Sequence, residues 1–150
     1  MEAEKKRKVN IVLILLLVLT LGFIWGNSLQ SREESAEVSG ELMELFDDLF
    51  EKLGLDIEDD HWLRKTAHVG EFCVLGVELC SLFFLNRSQN LQSAANASFA
   101  SLLTAVTDES LQYFSSRAPE VRDVALDFLG ALIGILLAAL FLSCRRKQKM

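Results

Sequence analysis

Cysteine is scarce in this chain, with three in 150 residues. Cys73 and Cys80 stand seven apart on one predicted helix, too far to bridge, and Cys144 lies in a basic tail. A disulfide framework is therefore excluded, and core packing is their expected role. A basic excess is also lacking: 15 Lys and Arg against 21 Asp and Glu leave a net charge of −6, with most cations at the two ends. A protein that tracks a nucleic-acid backbone needs a basic face, so nucleic acid is excluded as a partner. Histidine is scarcer still, and His68 is the only one in a predicted span. One histidine among scattered carboxylates falls short of a zinc-like ligand set, so neither metal nor other cofactor is expected, and a hydrogen bond between His68 and Glu71 is. There is no internal repeat and no low-complexity tract. The stretch "FIWGNSLQS" has no A-x-A-like cleavage site, so the first apolar run reads as a retained anchor and not a signal peptide.

Apolar residues, by contrast, make up 51% of the chain, too much for an ordinary soluble protein of this length. Four segments have spanning length: 9–26, 67–85, 94–114 and 124–142. The first is apolar except for Asn10 and Thr20, and at 1.5 Å per residue it extends about 27 Å, the thickness of a hydrocarbon core. Lys5 to Lys8, Arg87 and the run from Arg145 to Lys149 flank the spans on one side, which predicts both termini in the cytoplasm. Trp25, Trp62 and Tyr113 then fall at the opposite interface, where amphipathic rings prefer to sit. Between the first two spans, Val38, Leu42, Leu45, Phe46, Leu49, Phe50 and Leu53 recur at helical spacing. They predict an amphipathic helix with Ser31 and Glu34 as its capping box and Gly54 as its stop. The fold class expected is thus an all-α integral membrane protein: four transmembrane helices with an extracytoplasmic amphipathic helix between the first and second. Its parts are a basic cytoplasmic N-terminus (1–8), an anchor (9–26), an extracytoplasmic segment (27–63), a three-helix membrane bundle (64–142) and a basic cytoplasmic tail (143–150).

The polar residues inside the spans are not scattered around them. On a helical wheel Arg64, His68, Glu71 and Glu78 share one face of the second span, and Ser101, Thr104, Asp108 and Gln112 share one face of the third. In the fourth, Asp123 and Asp127 run on into Gly130 and Gly134, a small-xxx-small pair that admits close helix approach within one chain or between two. Glu71, Asp108 and Asp127 lie at one predicted depth below the outer surface. A carboxylate at mid-helix costs roughly 2.5 to 3.5 kcal/mol on insertion scales, so Glu71, Glu78, Asp108, Glu109 and Asp127 must be paired, protonated or wet. Arg64, Lys65, Arg117 and Arg122 are the matching cations at the outer ends. Glu78 has no cation at its level, and Thr20 and Ser81 are expected to bond back to their own helix carbonyls.

Four stretches, "NSLQSREES", "RKTAHVGEF", "TDESLQYF" and "RAPEVRDVALDFLGALIG", resemble the VanZ-like membrane proteins. The combination R-K-x-x-H-x-x-E, D-E-x-x-Q, then R and D before G-x-x-x-G spans most of the chain. Ser115 and Ser116 stand where the family usually has proline and glycine, which alters the turn before Arg117. The resemblance implies a bacterial cytoplasmic-membrane protein of the cell envelope, related to the one named for resistance to the glycopeptide teicoplanin. It brings no catalytic set with it. By motif position it points to Arg64, Lys65, His68, Glu71, Asp108, Glu109, Gln112, Arg117, Asp123 and Asp127.

Three functions are open on this reading. In the first, the outer cations hold an anionic envelope component, a lipid headgroup or cell-wall precursor, with Gln112, Asp123 and Asp127 setting geometry. Alternatively His68, Glu71, Asp108 and Glu109 perform acid-base catalysis on a lipid-linked substrate, or the charges form a purely structural network. Beyond membrane lipids, no partner or oligomeric state is defined. The topology has a direct test: a cysteine placed at Glu41 is expected to react with an impermeant thiol reagent from outside, and labelling only from the cytoplasm would invert the orientation.

Overall fold

The computed structural model describes residues 2–31, 33–34, 37–38, 40, 60–86, 90–115 and 120–147, and these contain four α-helices. They are α1 (Glu2–Leu29), α2 (Asp60–Asn86), α3 (Asn90–Phe114) and α4 (Val121–Lys147). Three are long and apolar enough to cross a membrane, over Ala3–Leu29, Lys65–Asn86 and Val121–Cys144. The remaining one, α3, has the length, at 25 residues, but Ser, Thr and Asn residues and the Asp108–Glu109 pair dilute its apolar character. Most of the expected amphipathic helix lies outside the described residues. Its start is visible: the Ser31 N–H donates to Glu34 Oε2 at 2.8 Å and the Glu34 N–H donates to Ser31 Oγ at 3.2 Å, the reciprocal pair of a capping box. The Ser31 backbone N–H, and then its hydroxyl, hold the exposed Glu34 carboxyl below its ordinary value. A depressed carboxyl favours the folded cap above the unfolded pKa, and that contribution fades as pH falls through the folded one.

Packing runs opposite to that of a soluble bundle. The buried positions of α3 include Ser93, Ala97, Ser101, Ala105, Asp108 and Gln112, at spacings of four, four, four, three and four, with Glu109 beside Asp108, while Phe99, Leu103 and Val106 are exposed. In α4, Asp127, Ala131, Ile135 and Ala138 are buried, and Leu132, Ile133, Leu136, Leu137, Leu140 and Phe141 face outward. Small and polar residues line the helix contacts and large apolar ones cover the outside, the arrangement that suits lipid as solvent. Hydroxyls on the partly exposed faces return to their own helix: Ser98 donates to the Ala94 carbonyl, Thr104 to Ala100 and Ser110 to Val106. This satisfies them without a partner helix.

The most extensive contact is between α2 and α4. A Cβ at Gly134 would collide with the Cys73 carbonyl, one at Gly130 with Val69, and one at Gly76 with Ala131. The small-residue groove of α4 is thus filled within the chain, by the backbone of α2. Cys73, Cys80 and Cys144 are all unpaired, with Cys80 in the core. On the other flank α1 lies against α2 and α3. Its register on α2 is marked by three polar pairs, Asn10 with Asn86, Thr20 with Glu78 and Asn27 with Glu71, each at 3.0 Å. From the second pair to the third the step is seven residues up α1 and seven back along α2, as an antiparallel packing requires.

Gly134→Ala is expected to lower unfolding free energy in mixed micelles by about 1 to 3 kcal/mol, because backbone cannot yield as a side chain can. Gly70→Ala, where nothing lies within 4 Å of the added methyl, is expected to be neutral or slightly stabilising.

Candidate functional site

Asp108 is the centre of the buried polar region. Its side chain has 0% exposure, yet it sits in a helix whose outer face is apolar. Two donors are visible: Ser28 Oγ reaches Oδ1 at 2.5 Å from the end of α1, and Gln112 Nε2, one turn along α3, reaches Oδ2 at 3.2 Å. The same place ties helix ends together. Ser115 Oγ donates to the carbonyls of Ser28 at 3.0 Å and Gln112 at 2.9 Å, satisfying acceptors left over where α1 and α3 stop. Ser115, one of the two residues replacing the family's proline and glycine, therefore caps both helices. Glu109 works at the next helix: its Oε1 accepts the Glu120 N–H at 2.6 Å, just before α4 begins. The Glu120 carbonyl takes the Asp123 N–H at 2.9 Å, so Glu120 is the N-cap of α4 and Glu109 supplies its missing acceptor.

Across from Asp108 stand His68 of α2 and Asp127 of α4. His68 Nδ1 is 4.0 Å from Asp108 Oδ2, and one ligand-type atom from each of His68, Asp108 and Asp127 lies within 4.8 Å of the others. The expected hydrogen bond between His68 and Glu71 is not formed. Glu71 instead accepts from Asn27 Nδ2 at 3.0 Å, and the carboxylate that His68 Nδ1 approaches is Asp108. The expectation failed because residues three apart on a helix need not turn toward each other when a neighbouring helix offers a better-placed donor. Asp127 is 3% exposed and sits within electrostatic reach of Asp108, Glu109, Asp123 and Glu71. His68 and Glu71 of the second stripe, Asp108 and Gln112 of the third, and Asp123 and Asp127 of the fourth are thus brought together at one end of the bundle.

The cations are distributed differently. Lys65 Nζ pairs with Asp123 Oδ1 at 2.7 Å, partly buried, and joins the starts of α2 and α4. Arg122, next along α4, is exposed. Arg64 lies on the first turns of α2, its side chain outside the described residues, as is the whole of Arg117. Glu78, further from this end, accepts from Thr20 Oγ1 at 3.0 Å. Thr20 therefore does not bond back to its own helix as expected: a buried carboxylate on α2 is the stronger acceptor. Glu78 Oε2, Glu71 Oε2 and Glu109 Oε2 are buried with no hydrogen-bond partner.

Sequence reasoning missed the contribution of α1. Thr20, Asn27 and Ser28 each donate to a buried carboxylate of another helix, whereas the sequence reads the first span as a plain anchor. The available signal was the seven-residue spacing of Thr20 and Asn27, matched by that of Glu71 and Glu78.

A small helical bundle with helices of membrane-spanning length and an acidic cluster near one end is the class that fold and geometry define. The VanZ/LLP1 family model matches residues 11–142, and the chain belongs to that family. No curated protein and no solved structure matches it.

Lys65→Met is expected to strand Asp123 and reduce stability by about 1 to 3 kcal/mol, between the exposed and fully buried limits for an ion pair. Arg122→Ala should change it by less than about 0.5 kcal/mol. Equal losses in the two variants, measured by unfolding in mixed micelles, would show that the Lys65 pair is solvated.

Proposed function

We propose that this VanZ/LLP1-family protein acts at the outer leaflet of a bacterial cytoplasmic membrane, where it holds the anionic head of an envelope component and so alters sensitivity to glycopeptides and related envelope stress. The observation that carries this reading is the Lys65–Asp123 pair at 2.7 Å. It draws the first turns of α2 and α4 side by side, with Lys65 and the exposed Arg122 at that end, Arg64 preceding Lys65 in the chain, and the buried carboxylates Asp127 and Glu109 further in. A phosphate or carboxylate head would meet guanidinium and ammonium donors there, on a cationic rim. The hydrogen-bonding groups of the same head, hydroxyl or amide, would find acceptors below it in Asp123, Asp127 and Glu109. A headgroup site must open to the side from which the headgroup comes, and the basic flanks of the spans support an outward position for this end.

The test is deletion of the protein in its bacterial host followed by complementation. Deletion is expected to change glycopeptide sensitivity, wild type to restore it, and a chain carrying both Arg64→Ala and Arg122→Ala to fail at normal membrane abundance. Unchanged sensitivity after deletion would refute the envelope role; full complementation by the double variant would refute the cationic rim.

A further inference from the structure

We propose that His68, Asp108 and Asp127 bind one divalent transition-metal ion. Three helices bring one imidazole and two carboxylates together, with a ligand-type atom from each inside a 4.8 Å span. The chain's single spanning histidine, too isolated in the sequence to suggest a metal, acquires its carboxylate companions only through the fold.

Two further observations separate this cluster from a merely structural network. Asp127, 3% exposed, has no hydrogen-bond or ion-pair partner among the described residues, although it is aimed at His68 and Asp108. The His68 Nδ1 atom is buried and has no hydrogen-bond partner, its nearest carboxylate oxygen being Asp108 Oδ2 at 4.0 Å. A network built for stability would satisfy these atoms, since an unsatisfied buried polar group costs about 1 to 3 kcal/mol and a charged one more. Among the described residues, the carboxylates around the cluster outnumber the cations. Asp127 senses Asp108, Glu109, Asp123 and Glu71, while Lys65 is engaged by Asp123. A dication between them offsets that repulsion and gives the orphaned atoms a common partner.

The donor set indicates the kind of ion. One nitrogen and two carboxylate oxygens, with no thiolate, suit borderline ions such as Zn²⁺ and Mn²⁺ better than soft ones. With bonds of about 2.1 Å, ligand atoms around such an ion lie about 3.0 to 4.2 Å apart, so closing the present span takes roughly one to two ångströms of side-chain movement. The hydrogen bonds from Ser28 and Gln112 already orient Asp108, as outer-shell donors orient a ligating carboxylate. Three protein ligands leave coordination positions open to water or to an oxygen of a bound molecule. The inference does not depend on the cationic rim or on an envelope role, and its test measures neither.

The full-length chain, purified in detergent and stripped with chelator, is dialysed against ZnCl₂ and, separately, MnCl₂, and bound metal is counted by mass spectrometry and calorimetry. About one equivalent of one of these ions is expected in the wild type. Asp127→Asn and His68→Gln, lying on different helices, should each weaken binding by at least about tenfold, while Glu78→Gln, further along α2 and bonded to Thr20, should retain it. Helicity and elution volume identify which variants remain folded, and either variant alone suffices for the comparison. Less than a tenth of an equivalent of both ions in the wild type overturns the proposal. So does stoichiometric binding that both folded variants keep unchanged.

Discussion

A carboxylate within an apolar bundle has to find donors inside the bundle, and the arrangement of this protein follows from how Asp108 finds them. At 0% exposure it has no recourse to bulk water. Ser28 reaches it from α1 and Gln112 from its own helix. The first of these bonds fixes where α1 must end relative to α3, and Ser115 reinforces the choice by binding the Ser28 carbonyl. A helix that composition reads as a lipid anchor is thereby made a wall of the site. The same logic repeats down the α1–α2 contact at Asn27 with Glu71 and Thr20 with Glu78, where each neutral donor removes part of the penalty for placing an acid in an apolar layer.

The glycine seam between α2 and α4 answers a second requirement, which is proximity. Gly130 packs on the backbone of Val69, the neighbour of His68, and lies less than one turn beyond Asp127. Without side chains at Gly76, Gly130 and Gly134 the two backbones approach closely enough for an imidazole on one helix and a short aspartate on the other to share a space. Close packing and the polar cluster are therefore one design seen at two depths. Lys65 and Asp123 lock the same seam where α2 and α4 begin.

Much of this was legible in the sequence because lipid imposes simple rules. Length and apolarity gave the spans, helical periodicity gave the polar faces of α2, α3 and α4, the Ser31 and Glu34 spacing gave a cap, and Gly130 with Gly134 announced a close helix contact. What periodicity does not encode is the rotation and register of one helix against another. His68 therefore faces Asp108, not Glu71, and Thr20 serves Glu78 instead of its own carbonyl. Single polar residues in a long apolar run, such as Thr20 and Asn27, look dispensable until a carboxylate is found opposite. The role of Ser115 was hidden for another reason: it became a cap shared by two helices only once their ends had been brought together.

The direct bond from Ser28 to Asp108 joins α1 to the acidic core. A double-mutant cycle on unfolding free energy, with Ser28→Ala, Asp108→Ala and both together, isolates that bond from the other effects of each change. A coupling of at least about 1 kcal/mol is expected, as for residues in contact. Additivity within about 0.3 kcal/mol would contradict it, for α1 would then be an anchor beside the site and no part of it.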